Sequence, residues 1–138
     1  VAERAVVNAS PLIFLSRGGL LNLLQLATPE LIVPAAVATE IQQHGAGDPT
    51  ARALADTVWL IVTQTPPVPP HIQAWGLGRG ESAVLAWALA HPSSEAIIDD
   101  LAARRCAAAP RAVTTERYVL IRRSNGSGTR PRRRVKSG

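Results

Sequence analysis

Cysteine is nearly absent from this chain of 138 residues: Cys106 stands alone, so no internal disulfide can form. A reducing compartment, the cytoplasm, is the expectation. Long apolar runs are missing too. The greasiest stretch, Leu20 to Ala27, is broken by Asn22 and Gln25 and falls well short of the roughly 18 residues a membrane span needs, so no membrane association is expected. The first residues lack a basic flank followed by an apolar run and a small-residue cleavage site, which argues against an export signal. Aromatic residues are scarce, with three Trp, one Tyr and one Phe. Trp59, Trp75 and Trp87 are read as core or interface residues rather than as a platform for stacking bases.

Basic charge is also lacking over most of the chain, although the total is +5. Residues 1–110 hold six Arg against nine acids, a net −3, whereas residues 111–138 hold nine Arg or Lys against one Glu, a net +8. The overall charge is therefore a property of the tail and says nothing about nucleic-acid binding by the body. Apolar periodicity is lost from Arg122 on, Ser124 to Gly128 reads as a flexible linker, and Arg130 to Lys136 is a charge block. Two segments follow: a folded domain over 1–121, atypical from about 110, and a basic disordered tail over 122–138.

Within the domain, short β-rich runs alternate with helical patterns. Strands are expected at Ala5–Val7, Leu31–Val33, Trp59–Val62 and Ala96–Ile98, with a fifth at Ala112–Thr115. Helices are expected at Leu12–Arg17 with Ser10-Pro11 as its start, Leu20–Leu26, Pro34–Gln43, Pro49–Asp56 capped by Asp48, Glu81–Ala90 and Leu101–Ala109. The proline-rich piece Thr65 to Pro70 reads as a loop. This alternation implies an α/β fold with a mainly parallel sheet of four to five strands flanked by helices in three layers.

Ligands of open parallel sheets bind at the carboxyl ends of the strands. Asn8 falls there after the first strand and Asp99-Asp100 after the fourth, while Glu40 lies late in one helix and Glu81 opens another. Each has an ordinary alternative. Asn8 reads equally as a turn residue, Glu40 as a solvated surface acid, Glu81 as a charge suited to a helix N-terminus, and Asp99-Asp100 as a helix cap. His44, His71 and His91 fall in loops without ligand-like spacing, and Cys106 on an Ala-rich helix reads as a structural thiol.

The order of four short motifs resembles a PIN-like group of prokaryotic proteins related to the ribonuclease toxins of toxin–antitoxin pairs. The motifs are Asn8-Ala9-Ser10-Pro11-Leu12-Ile13, the run Val33-Pro34 to Glu40-Ile41, Gly80-Glu81-Ser82-Ala83, and Asp99-Asp100 to Arg104-Arg105. The resemblance spans about residues 5–109. It implies a PIN-type fold and a divalent-metal-dependent ribonuclease using Mg²⁺ or Mn²⁺, with RNA, a small antitoxin protein and a second copy of the chain in a homodimer as partners. Carried over by position, it implies Glu40, Glu81 and Asp99 as catalytic acids, Asn8, Glu81 and Asp99 as metal ligands, and Ser10 and Arg104 as nucleic-acid contacts. Asn8 stands where PIN nucleases usually have Asp, and its neutral amide lowers the expected metal affinity. A catalytically silent PIN-like module that binds nucleic acid or protein is the alternative. From Pro110 the chain departs from the family's usual ending.

Overall fold

Runs such as Ala5-Val6-Val7 and Leu31-Ile32-Val33 carry no polar residue to face water, so as strands they must be covered on both sides. The computed structural model, which describes residues 4–91, 93–99, 117–121 and 131–135, places them so. Strands β1 (Ala5–Val7) and β2 (Leu31–Pro34) are buried throughout, and β4 (Glu95–Asp99) is buried up to Ile98. Strand β3 (Leu60–Thr63) lies at one sheet edge and leaves Val62 exposed. The remaining strands are β5 (Arg117–Ile121) and β6 (Pro131–Val135), and the order across the sheet is β3-β2-β1-β4-β5-β6. The first five run parallel and β6 pairs antiparallel with β5. The fold is thus the three-layer α/β arrangement with a mainly parallel sheet that the alternation of elements implied.

Helices α1 (Ala9–Arg17), α2 (Asn22–Ala27), α3 (Ala35–Gln42), α4 (Pro49–Asp56), α5 (Pro70–Gln73) and α6 (Arg79–Ala90) flank the sheet. The main core joins Val6, Leu12, Val33, Ile41, Val84 and Ile97 among others. A smaller cluster, Ile72 and Leu85 with Val68, Trp75 and Leu77, pins α5 and the proline-rich segment against α6. Trp87 is buried in the main core, Trp59 packs against it, and Trp75 belongs to the second cluster, which accords with their reading as core residues.

Three expectations need correction. Helix α1 starts at Ala9, not Leu12, and its N-cap is Asn8 rather than Ser10: the Asn8 Oδ1 accepts the Ala9 N–H at 2.9 Å, and Asn is among the best residues at that position. The Thr65–Pro70 loop ends in the short helix α5, which carries His71. Residues 131–135 are a strand, not disordered tail. Strand pairing uses backbone N–H and C=O groups, so the open edge of β5 can order an arginine-rich segment, and charge on an edge strand also discourages further pairing. The expected fifth strand at Ala112–Thr115 and helix at Leu101–Ala109 lie outside the described residues, whose fifth strand is Arg117–Ile121.

Asp48 behaves as its position predicts. Its Oδ2 accepts the N–H groups of Thr50 and Ala51 at 3.0 and 3.1 Å, and Arg17 reaches Oδ1 at 3.3 Å. The Ala51 N–H chiefly, helped by Arg17 and Thr50, holds the carboxyl below its ordinary value. A lowered folded pKa gives stability that is present above the ordinary aspartate value and lost as the pH falls through the lowered one. Asp48→Ala is therefore expected to lower the melting temperature by several degrees near neutrality, with the gap to wild type closing in acid. Asp48→Asn should keep most of the cap, because Arg17 is exposed and such pairs contribute little. Thermal melts across pH check both.

Candidate active site

Strand β1 stops where an amide can both end a strand and begin a helix. The Asn8 N–H still donates to Ile97 O at 3.1 Å, which extends the β1–β4 pairing one residue past the strand, while the Asn8 side chain caps α1. Asn8 is buried. On the neighbouring strand, Val7 pairs with Ile97, and Asp99 lies two residues further along, partly exposed at the carboxyl end of β4 and level with Ile121 of β5. The chain leaves β1 toward β2 and β3 on one side and returns to β4 on the other. Asn8 and Asp99 thus flank the point where the strand order reverses, the usual ligand crevice of an open parallel sheet.

The two glutamates approach from helices. Glu40 sits in α3 with its Oε1 accepting the Gly80 N–H at 3.1 Å. Gly80 is buried in the first turn of α6, where a Cβ would stand 2.8 Å from that Oε1 and 3.2 Å from the Glu40 Cδ. Any other residue there would push the carboxylate away. Glu81 follows in the same first turn, partly buried, where the positive end of the helix dipole favours an acid. Because α6 runs back from the carboxyl edge to the start of β4, its first turn belongs to the same edge as Asn8 and Asp99.

The structure therefore brings Asn8 and Asp99 to adjacent strand ends and seats Glu40 against the residue preceding Glu81. It does not gather the acids into one cluster: among the described residues, no three of His, Cys, Asp and Glu come close enough together to hold a metal ion. Ser10 lies partly exposed in the first turn of α1, two residues beyond Asn8, and Arg104 lies outside the described residues. The donor chemistry nevertheless suits a hard cation. Asn8, Glu81 and Asp99 offer only oxygen, and Mg²⁺ is commonly held by one or two carboxylates completed by water and substrate phosphate rather than by a full protein cage. Gly80 was not singled out from the sequence as a site residue. Its signal was slight: it is the last of three alternating glycines, Gly76, Gly78 and Gly80, that lead into the Ala- and Leu-rich pattern from Glu81, and such a cluster reads as a turn.

Comparison with known proteins adds three findings. The family model DUF3368, a PIN domain, matches residues 4–120. No curated protein matches the chain. The solved structure of the PIN domain endonuclease Utp24 is similar, with a TM-score of 0.55 at 13% identity, over 96% of this chain and 92% of that one. At that identity the likeness speaks to the fold.

Proposed function

This chain belongs to the PIN domain family DUF3368, and on that premise we propose that it is a divalent-metal-dependent endoribonuclease acting at the carboxyl edge of its sheet. The observation that carries the reading is the placement of Asn8 and Asp99 on adjacent strand ends at the reversal of strand order, with Glu40 seated beside the first turn of α6. The PIN domain endonuclease with a similar fold supports the same class of chemistry.

In this reading Asp99 and Glu81 would hold Mg²⁺ or Mn²⁺, with the Asn8 amide oxygen as a neutral third donor. When bound, the metal polarises the attacked phosphate and offsets its negative charge. The Gly80 N–H fixes one oxygen of Glu40, which leaves the other to orient the attacking water and accept its proton. Ser10 and Arg104 would bind the RNA backbone. The finer proposal is that the chain is the toxin of a toxin–antitoxin pair, a cytoplasmic homodimer silenced by a small antitoxin protein. Among the described residues no helix is long and apolar enough to cross a membrane.

The second reading, a PIN module that binds without cutting, is favoured by the neutral amide at Asn8, whose oxygen already accepts the Ala9 N–H and brings no negative charge to a cation. Calorimetric titration with Mn²⁺, followed by RNA incubation with and without the metal, separates the two. The nuclease reading expects saturable Mn²⁺ binding and internal RNA cuts that a chelator stops. RNA left intact at saturating Mn²⁺ would make the binding module the better account.

A further inference from the structure

A cavity of about 370 Å³ opens beside this site, within the size range of small-ligand pockets. Its wall runs from Ala36 in the first turn of α3, across Thr65 and Val68 of the proline-rich segment, to Arg79 and Ala83 of α6. Ala36 is one helical turn from Glu40, and Arg79 adjoins Gly80, whose N–H holds Glu40. The cavity therefore adjoins Glu40, at the carboxyl ends of β2 and β3.

We infer that this cavity receives a nucleobase of the RNA strand, with Arg79 on the adjoining phosphate. The inference rests on the ribonuclease reading and adds to it a determinant of base choice. Three observations carry it. First, the walls are mostly apolar, as the faces of a base require. Second, the edges can be read. The Thr65 hydroxyl is buried and has no hydrogen-bond partner among the described residues, although Thr65 lines the cavity. A buried hydroxyl left unmatched is costly, and a turn of the Thr65 side chain about its Cα–Cβ bond to another staggered position would present it to the cavity, where a base edge, which offers both donors and acceptors, would satisfy it. The Gln73 Nε2 donates to Val68 O at 3.2 Å, which steadies the amide and leaves its carbonyl oxygen as an acceptor. Third, the charge fits: Arg79 is exposed and makes no ion pair among the described residues, on a body of net −3 over residues 1–110. A cation there has no structural employment, and a phosphate supplies one.

Two conservative variants test this without touching the acids. Binding of short ribo-oligonucleotides of A, C, G or U is measured in chelator, so that no cleavage intervenes. The wild type should prefer one base. Thr65→Val should weaken that preferred oligonucleotide by about two- to tenfold, the worth of one hydrogen bond, and flatten the preference. It should not lower the melting temperature, since it removes an unmatched buried hydroxyl. Arg79→Gln should weaken all four alike and reduce the salt dependence by about one phosphate contact. A Thr65→Val protein that binds all four as the wild type does would overturn the inference, whether or not the protein cuts RNA. Failure of the wild type to bind any of them would overturn it equally. If Thr65→Val flattens the preference but RNA stays intact in Mn²⁺, the base site stands and the nuclease reading falls.

Discussion

Asp99→Asn is expected to slow RNA cleavage by at least about a hundredfold while leaving the fold in place. The carboxylate closes β4 at the point where the strand order reverses, beside the already neutral Asn8. Converting Asp99 to an amide would leave Glu81 as the one charged metal donor, and a hard cation loses several kcal/mol of attraction when a carboxylate becomes a carbonyl. The strand should stay paired. The substitution keeps side-chain volume, and the pairing of Asp99 with Ile121 runs through the backbone. Initial cleavage rates in Mn²⁺, read beside thermal melts, make the check. Wild-type rates from a well-folded Asp99→Asn protein would remove this residue from the chemistry and with it the proposed site.

Gly80→Ala separates function from stability more sharply. Its new Cβ would lie 2.8 Å from the Glu40 Oε1, closer than packed atoms approach, so one of the two must move. The carboxylate is the end of a flexible side chain and yields at little cost. The helix should not lose, since Ala exceeds Gly in helix propensity, although in the first turn the gain is smaller than the about 1 kcal/mol of interior positions. The melting temperature should hold or rise, while displacement of Glu40 lowers cleavage by about ten- to a hundredfold, the usual range for losing a group that orients a metal site. Glu40→Gln should show a similar loss without the crowding. If Gly80→Ala cuts RNA at the wild-type rate, the seating of Glu40 is packing and nothing more.

Local signals carried much of the fold. The Asp48 cap and the extent of α4 were legible because a cap needs only one side chain and the next three backbone N–H groups. Strands β1, β2 and β4 were legible because a strand buried on both faces shows an unbroken apolar run. The start of α1 was misplaced for an equally local reason: two good caps, Asn8 and Ser10, stand two residues apart, and pairing of Asn8 with Ile97 on β4 fixes where the strand stops. Strand β6 was illegible because its order comes from a neighbour's free edge, while its own arginines read as solvated charge.

The same division runs through the site. The sequence by itself determined the kinds of donor available, Asn8, Glu40, Glu81 and Asp99, and the alternation of strands and helices that puts Asn8 and Asp99 at strand ends. Tertiary structure alone decided that β4 returns beside β1, that the Glu40 carboxylate meets Gly80 forty positions away, and that Thr65 and Arg79 share a cavity. Those three facts depend on which surfaces meet when the layers pack, and nothing in the residues near each position encodes the distance to a partner so remote along the chain.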